Sequence, residues 1–163
     1  MRPAAVRLAL AVCAVVPAAP AFAAGPIELA VYDDRDGVAE IDFTPVDQSA
    51  TITNRFRMIF ADAVILDGRV EWSDNAARPY GTLTRNCPSG DVTDDELAAC
   101  TLWSGVVYTA DEMGAVGLLP RQGESAPRNL IFSGLGPALA NGRGDAAPAK
   151  TPWDVFFLKG CQE

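Results

Sequence analysis

The side chains that could carry chemistry in this chain are few in kind. There is no histidine among its 163 residues. That removes the imidazole base that activates serine and cysteine nucleophiles, and every metal site built on imidazole. Four cysteines are present. Cys13 lies in an apolar N-terminal stretch, while Cys87, Cys100 and Cys161 lie in the more polar remainder. None shows the C-x-x-C spacing of a thiolate metal site or redox pair. The expectation is therefore a structural bridge. Cys87 and Cys100 enclose a short polar loop, which makes a local disulfide the simplest pairing and leaves Cys161 as the spare thiol. A long bridge from Cys161 is the alternative, because spacing alone does not determine connectivity.

Carboxylates are the other candidates. Asp33-Asp34-Arg35-Asp36-Gly37 begins like a calcium loop. Aligning Gly37 with the turn glycine of such a loop, however, puts Tyr32 on the first ligand position and Phe43 on the closing one. Asp and Gly serve a tight turn equally well. Glu40 and Asp42 stand two apart on an alternating segment, so both point to one face. Paired carboxylates of that kind perform glycoside hydrolysis. The run Glu40-Ile41-Asp42 is similar to the Glu-x-Asp run of laminarinase-type β-glucanases, which carry a further Glu on the same face. Here Thr44 and Val46 take the next positions, and a solvated strand face is the simpler reading. There is no G-x-S-x-G, S-x-x-K, P-loop or G-x-G-x-x-G, and Arg143-Gly144-Asp145 is a chance run in a glycine- and proline-rich loop, 141–152. No catalytic, cofactor-binding or metal-binding residue is assigned, and no cofactor is expected.

The elements that would position these groups read as strands. Alternation is clearest over 52–60, where Ile52, Phe56, Met58 and Phe60 share a face with Asn54, and Thr51, Thr53, Arg55 and Arg57 share the other. Residues 27–33 and 38–44 alternate around Asp36-Gly37, and 63–66 and 69–73 flank Asp67-Gly68; both dipeptides favour hairpin turns. Further strands are expected at 80–86, 101–109, 115–119, 129–132 and 153–159, the last with Trp153, Val155 and Phe157 on one face. Thr93 followed by Glu96 forms a capping box for a short helical turn over 94–99. Pro137 suits the start of another over 136–140. The fold class expected is mostly β: an antiparallel β-sandwich or a small closed β-barrel of about eight or nine short strands, with one or two short helical turns. Trp72, Trp103, Trp153, Tyr32, Tyr80 and Tyr108 are expected at or near the core, although aromatics can also stack on sugars.

The N-terminus addresses the chain. Arg2 and Arg7 precede a short apolar run interrupted by Pro17 and Pro20 and ending in Ala21-Phe22-Ala23, the pattern of a secretory signal cleaved after Ala23. Val12 before Cys13 argues against a lipoprotein signal. The expected organisation is a signal over 1–23 and one β domain over 24–163, exported to the periplasm or exterior of a Gram-negative bacterium. The run is too short to anchor the chain across a bilayer. A formal net charge of -8 argues against nucleic acid. The function expected is non-catalytic: a monomeric binding or accessory protein for an unknown protein, peptide or small ligand, with Cys161 able to link two copies. An inhibitor of a secreted hydrolase, using 87–100 or 141–152 as its loop, is the first alternative, and a hydrolase using Glu40 and Asp42 the second. The cysteine assignment is tested by substitution. Cys87→Ser should cost about 3 kcal/mol by the loop-closure relation, while Cys161→Ser should leave the denaturant midpoint unchanged and abolish any covalent dimer. The reverse pattern would place the bridge on Cys161.

Overall fold

The computed structural model describes residues 25–47, 51–73, 77–142 and 147–162; the expected signal segment and the Arg143-Gly144-Asp145 run lie outside these. Nine strands form one antiparallel sheet: β1 (Ala30–Asp34), β2 (Ala39–Thr44), β3 (Ile52–Phe60), β4 (Ile65–Ser73), β5 (Arg78–Thr84), β6 (Thr101–Ala110), β7 (Val116–Leu118), β8 (Asn129–Phe132) and β9 (Val155–Cys161). Neighbours in the chain pair from β1 to β6, then β6 pairs with β8, β8 with β9 and β9 with β1. The result is a closed up-and-down barrel of eight strands. The extra strand, β7, continues the line of β5 along the C-terminal half of β6. The fold is thus the closed barrel rather than the sandwich. Its two short helices are α1 (Asp94–Cys100) and α2 (Leu135–Ala140).

Local signals act as their chemistry dictates. Gly37 takes a positive φ of 64° in the β1–β2 turn, a conformation a glycine adopts without a Cβ penalty. Asp34 finishes that turn from inside. Its carboxylate accepts from the backbone N–H groups of Asp36, Val38 and Ala39 at 3.3, 2.5 and 3.0 Å, which satisfies a buried acid and three donors together. At α1, Thr93 Oγ1 accepts from the Glu96 N–H, and the Glu96 carboxylate accepts from the Thr93 N–H. Cys87 and Cys100 are joined by a disulfide across the β5–β6 connection, with Cα atoms 5.2 Å apart, and Cys161 is free and exposed.

Two expectations are corrected. Asp67-Gly68 is not a turn, because β4 runs straight through it. The turn comes earlier, at 61–64, where Ala63 takes a positive φ of 64° and Asp62 accepts from the Val64 N–H. Gly68 instead faces Phe56 across the β3–β4 pair. A Cβ at Gly68 would lie 2.3 Å from the Phe56 ring, so the glycine is required by close approach inside the barrel. The face of β9 is also inverted. Phe156 is fully buried, while Trp153 and Phe157 are 52% and 44% exposed. Both alternations over 155–158 are apolar, so periodicity could not choose between them. Register chooses, since Phe156 and Leu158 lie opposite Asp34 and Tyr32, which point inward. Residues 27–29 form a 3-10 turn before β1, whose Ala30, Tyr32 and Asp34 point inward.

The barrel interior is filled by side chains. Phe132 contacts Phe56, Trp103 and Phe156 with ring centroids 5.4–5.6 Å apart, and Phe43 links Phe56 to Tyr32. Edge-on and tilted pairs of this kind contribute about 0.5–1.5 kcal/mol each beyond area burial. Ile41, Met58, Leu66, Val70, Leu83, Val107 and Leu130 complete the packing. Two polar groups inside are satisfied: the Tyr32 hydroxyl donates to the Pro127 carbonyl at 2.9 Å, and the Asn54 amide donates to the Pro120 carbonyl at 3.0 Å. Gly68→Ala should therefore destabilise the protein by about 1–3 kcal/mol through overpacking. Adding Phe56→Leu, which frees the space, should recover part of that loss in a denaturant-melt cycle. Strictly additive losses would contradict the close-approach account.

Candidate functional site

Three places on this barrel bear on function: the acidic seam, the open grooves and the β6–β7 hairpin. The seam is where β1 and β9, the first and last strands, close the barrel. Asp33 and Glu40 are register partners on β1 and β2, and Asp42 follows on the same outer face. Lys159 reaches them from β9. Its ammonium is 3.2 Å from Asp33 and in direct hydrogen-bond contact with Glu40. The β1–β9 register shifts between Val31 and Tyr32 so that Lys159 has no strand partner. It is a bulge residue re-aimed toward the acids.

A third acid, Asp33, therefore does converge on Glu40 and Asp42, as hydrolysis would require. The environments of the other two also diverge. The Lys159 hydrogen bond holds the Glu40 carboxyl below its ordinary range. Burial, with the neighbouring Glu40 charge, pushes Asp42 up. The same contacts raise the Lys159 ammonium. Yet Lys159 occupies the space between Asp33 and Glu40, and none of the three acids lines any of the grooves described below. The arrangement works as an external clasp on the barrel seam. A second clasp lies beside it: the Arg35 guanidinium stacks 3.8 Å over the Trp153 ring, whose indole N–H donates to Asp36 at 2.7 Å. This accounts for Trp153 being outside the core, and it commits Asp36, one of the calcium-like acids, to a protein partner.

The hairpin between β6 and β7 is the feature that periodicity did not single out. Asp111 braces its tip. The Asp111 carboxylate accepts from the Met113 and Ala115 N–H groups at 2.9 and 2.8 Å, and its backbone N–H donates to the Ala115 carbonyl at 3.1 Å. Gly114 supplies the positive φ of 83° that the reversal needs. Met113 then projects at 91% exposure, with Val116 and Leu118 exposed behind it. Among the described residues β7 pairs only with β6, so its far edge carries unpaired backbone groups. A groove of about 380 Å³ lies beside it, lined by Ala110, Glu112, Val116, Pro127 and Arg128 among others. The signals for this site were present in the sequence: Asp111 four residues before Ala115, Gly114 at the reversal, and an apolar residue between them.

Other grooves are shallow features of the outer surface. One of about 290 Å³ lies at the barrel end between Gly37, Phe60, Asp62 and Lys150, and one of about 360 Å³ lies on the β3–β4 face among Arg55, Arg57 and Arg69. Among the described residues no group of acidic or cysteine side chains is placed to hold a metal ion, and no helix is long and apolar enough to cross a membrane. Of the two loops expected to protrude, 87–100 is tied down by the disulfide and α1, and 143–146 lies outside the described residues. Comparison with protein-family models, with curated proteins and with solved structures finds no match.

The clasp carries a pH prediction. Glu40 titrates below its ordinary value when folded, so its contribution is present above that value and is lost as the pH falls through the lowered one. Asp42 has the opposite sign, since protonation relieves its burial. Lys159→Gln removes the cation that offsets both. It should lower stability near neutral pH, by no more than about 1 kcal/mol for so exposed a pair. The deficit should shrink toward about pH 3, where carboxylates protonate. Thermal melts of both proteins across that range check it; a deficit that is constant with pH would exclude the electrostatic clasp.

Proposed function

We propose that this chain is an exported, non-catalytic binding protein of the periplasm or cell exterior that grips a protein or peptide partner with its β6–β7 hairpin. One observation carries the reading: Met113 stands 91% exposed at the tip of a hairpin pinned by Asp111, next to a strand with a free edge. An exposed apolar side chain on a rigid support costs little entropy to bind. The free edge can pair with an extended segment of a partner, as in β-strand addition. The filled interior supports the same choice, because among the described residues side chains take up the space inside the barrel where a small ligand would be enclosed. The disulfide supports an oxidising compartment.

Inhibition of a secreted hydrolase is the special case in which the partner is an enzyme and the tip enters its cleft. The Asp111 brace favours it, since a blocking loop must hold one conformation. The experiment is capture from the exported fraction of the native organism by immobilised mature chain, followed by affinity measurement with the recovered partner. Met113→Asp and Val116→Lys should each weaken binding by about tenfold or more while the melting temperature stays nearly unchanged, both side chains being exposed. Undiminished binding by both variants, or equal loss in a Ser104→Lys control, would move the interface off the hairpin.

A further inference from the structure

The outer face of β3 and β4 holds an arrangement that neither the barrel nor the hairpin explains. Arg55 and Arg69 are direct cross-strand partners. Like charges in that position repel, and the chain is strongly acidic, so global charge balance does not call for them. The next pair along the same face is different. Arg57 lies opposite Asp67 on β4 and opposite Asp42 on β2, so a carboxylate flanks it on each side. Arg55 and Arg69 are flanked instead by hydroxyl side chains, Thr44 on β2 and Thr82 on β5. Arg69 has one acid near it, Glu71, at 3.4 Å. That contact satisfies distance but not direction, for Arg69 Nε is buried with no hydrogen-bond partner among the described residues. Arg55 makes no ion pair with a described residue. All three arginines, with Thr44 and Thr84, line the groove of about 360 Å³.

We infer that this groove binds a tetrahedral oxyanion, the phosphate or sulfate group of a small ligand, between Arg55 and Arg69. Each guanidinium offers a planar fork of donors that matches two oxygens of such a group. The bound charge would turn the cross-strand repulsion into a bridge between the two guanidiniums, with the Thr44 hydroxyl beside it, while the Thr84 hydroxyl already donates to the Asp67 carbonyl at 3.3 Å. The groove is larger than an inorganic ion needs, so a monoester with its organic portion fits the same place. Asp42 and Asp67 stand on either side of Arg57, and Asp67 also lines the groove, so their charges disfavour an anion there and restrict it to the Arg55–Arg69 end. This site is separate from the hairpin and stands whether or not the hairpin binds a partner.

The test uses the mature chain at low ionic strength, where surface electrostatics is least screened. Melting temperature is followed while inorganic phosphate, inorganic sulfate or glucose 6-phosphate replaces sodium chloride at constant ionic strength. Saturable stabilisation relative to chloride is expected. A free anion would act as well as the ester, whereas a stronger effect of glucose 6-phosphate would identify an esterified ligand. In Arg55→Thr the repulsion is removed, so the variant should melt higher than the parent in the anion-free buffer and should bind phosphate at least about tenfold more weakly. Arg69→Gln should also lose the response. The inference is overturned if phosphate acts no differently from chloride, if Arg55→Thr keeps the full response, or if that variant melts lower than the parent without anion.

Discussion

The aromatic chain through the barrel interior is the constraint on which the rest of the structure depends. Phe132 touches rings from β3, β6 and β9, so one side chain on a four-residue strand ties opposite walls of the barrel together. The fit is close enough to exclude side chains elsewhere: Gly68 yields to Phe56, and Gly81 and Gly105 lie where a Cβ would press on Trp103. Interiors packed to this density tolerate neither added volume nor a void. Among the described residues the inside of the barrel is taken up by side chains, and the grooves open on its outer surface and at its end.

Closure of the barrel raises a second problem, because its first and last strands come from opposite ends of the chain. The β1–β9 ladder supplies the backbone hydrogen bonds. Outside it, Lys159 draws Asp33 and Glu40 together, and Arg35, Asp36 and Trp153 make a second tie. Gln162 adds two more, its N–H to the Leu29 carbonyl and its amide to the Phe43 carbonyl. Acids that resemble a catalytic or metal-binding set are thereby committed to holding the seam. Each tie is weak alone in water, but together they secure a joint that no local turn can hold.

The exposed apolar surface of the hairpin is set by the one strand that does not belong to the barrel. β7 takes over from β5 along β6, and the connection between β6 and β7 extends past the barrel wall. Exposed edges are ordinarily a hazard, and natural sheets shorten or cover them. Here the edge is only three residues long, which limits indiscriminate pairing, while the braced tip and its methionine give it a defined shape.

Much of this was legible locally. Alternation located the strands, Asp36-Gly37 their first turn, and Thr93 with Glu96 a helix start, because each depends on neighbours in the chain. The Cys87–Cys100 proximity follows from a short loop. The absence of histidine was decisive against whole classes of chemistry before any fold was known. Tertiary structure decided what local pattern leaves degenerate. Alternation shows which residues share a face but not which face turns inward, so β9, apolar on both sides, was assigned only by its register against β1. Asp67-Gly68 has the chemistry of a turn, and a ring from the adjacent strand keeps it extended. Glu40 and Asp42 were visible as a pair, and Asp33 joins them across the local β1–β2 hairpin, but Lys159 reaches them only through strand pairing across the closed seam. Such choices rest on contacts between distant segments, whose register is set by packing the whole interior at once.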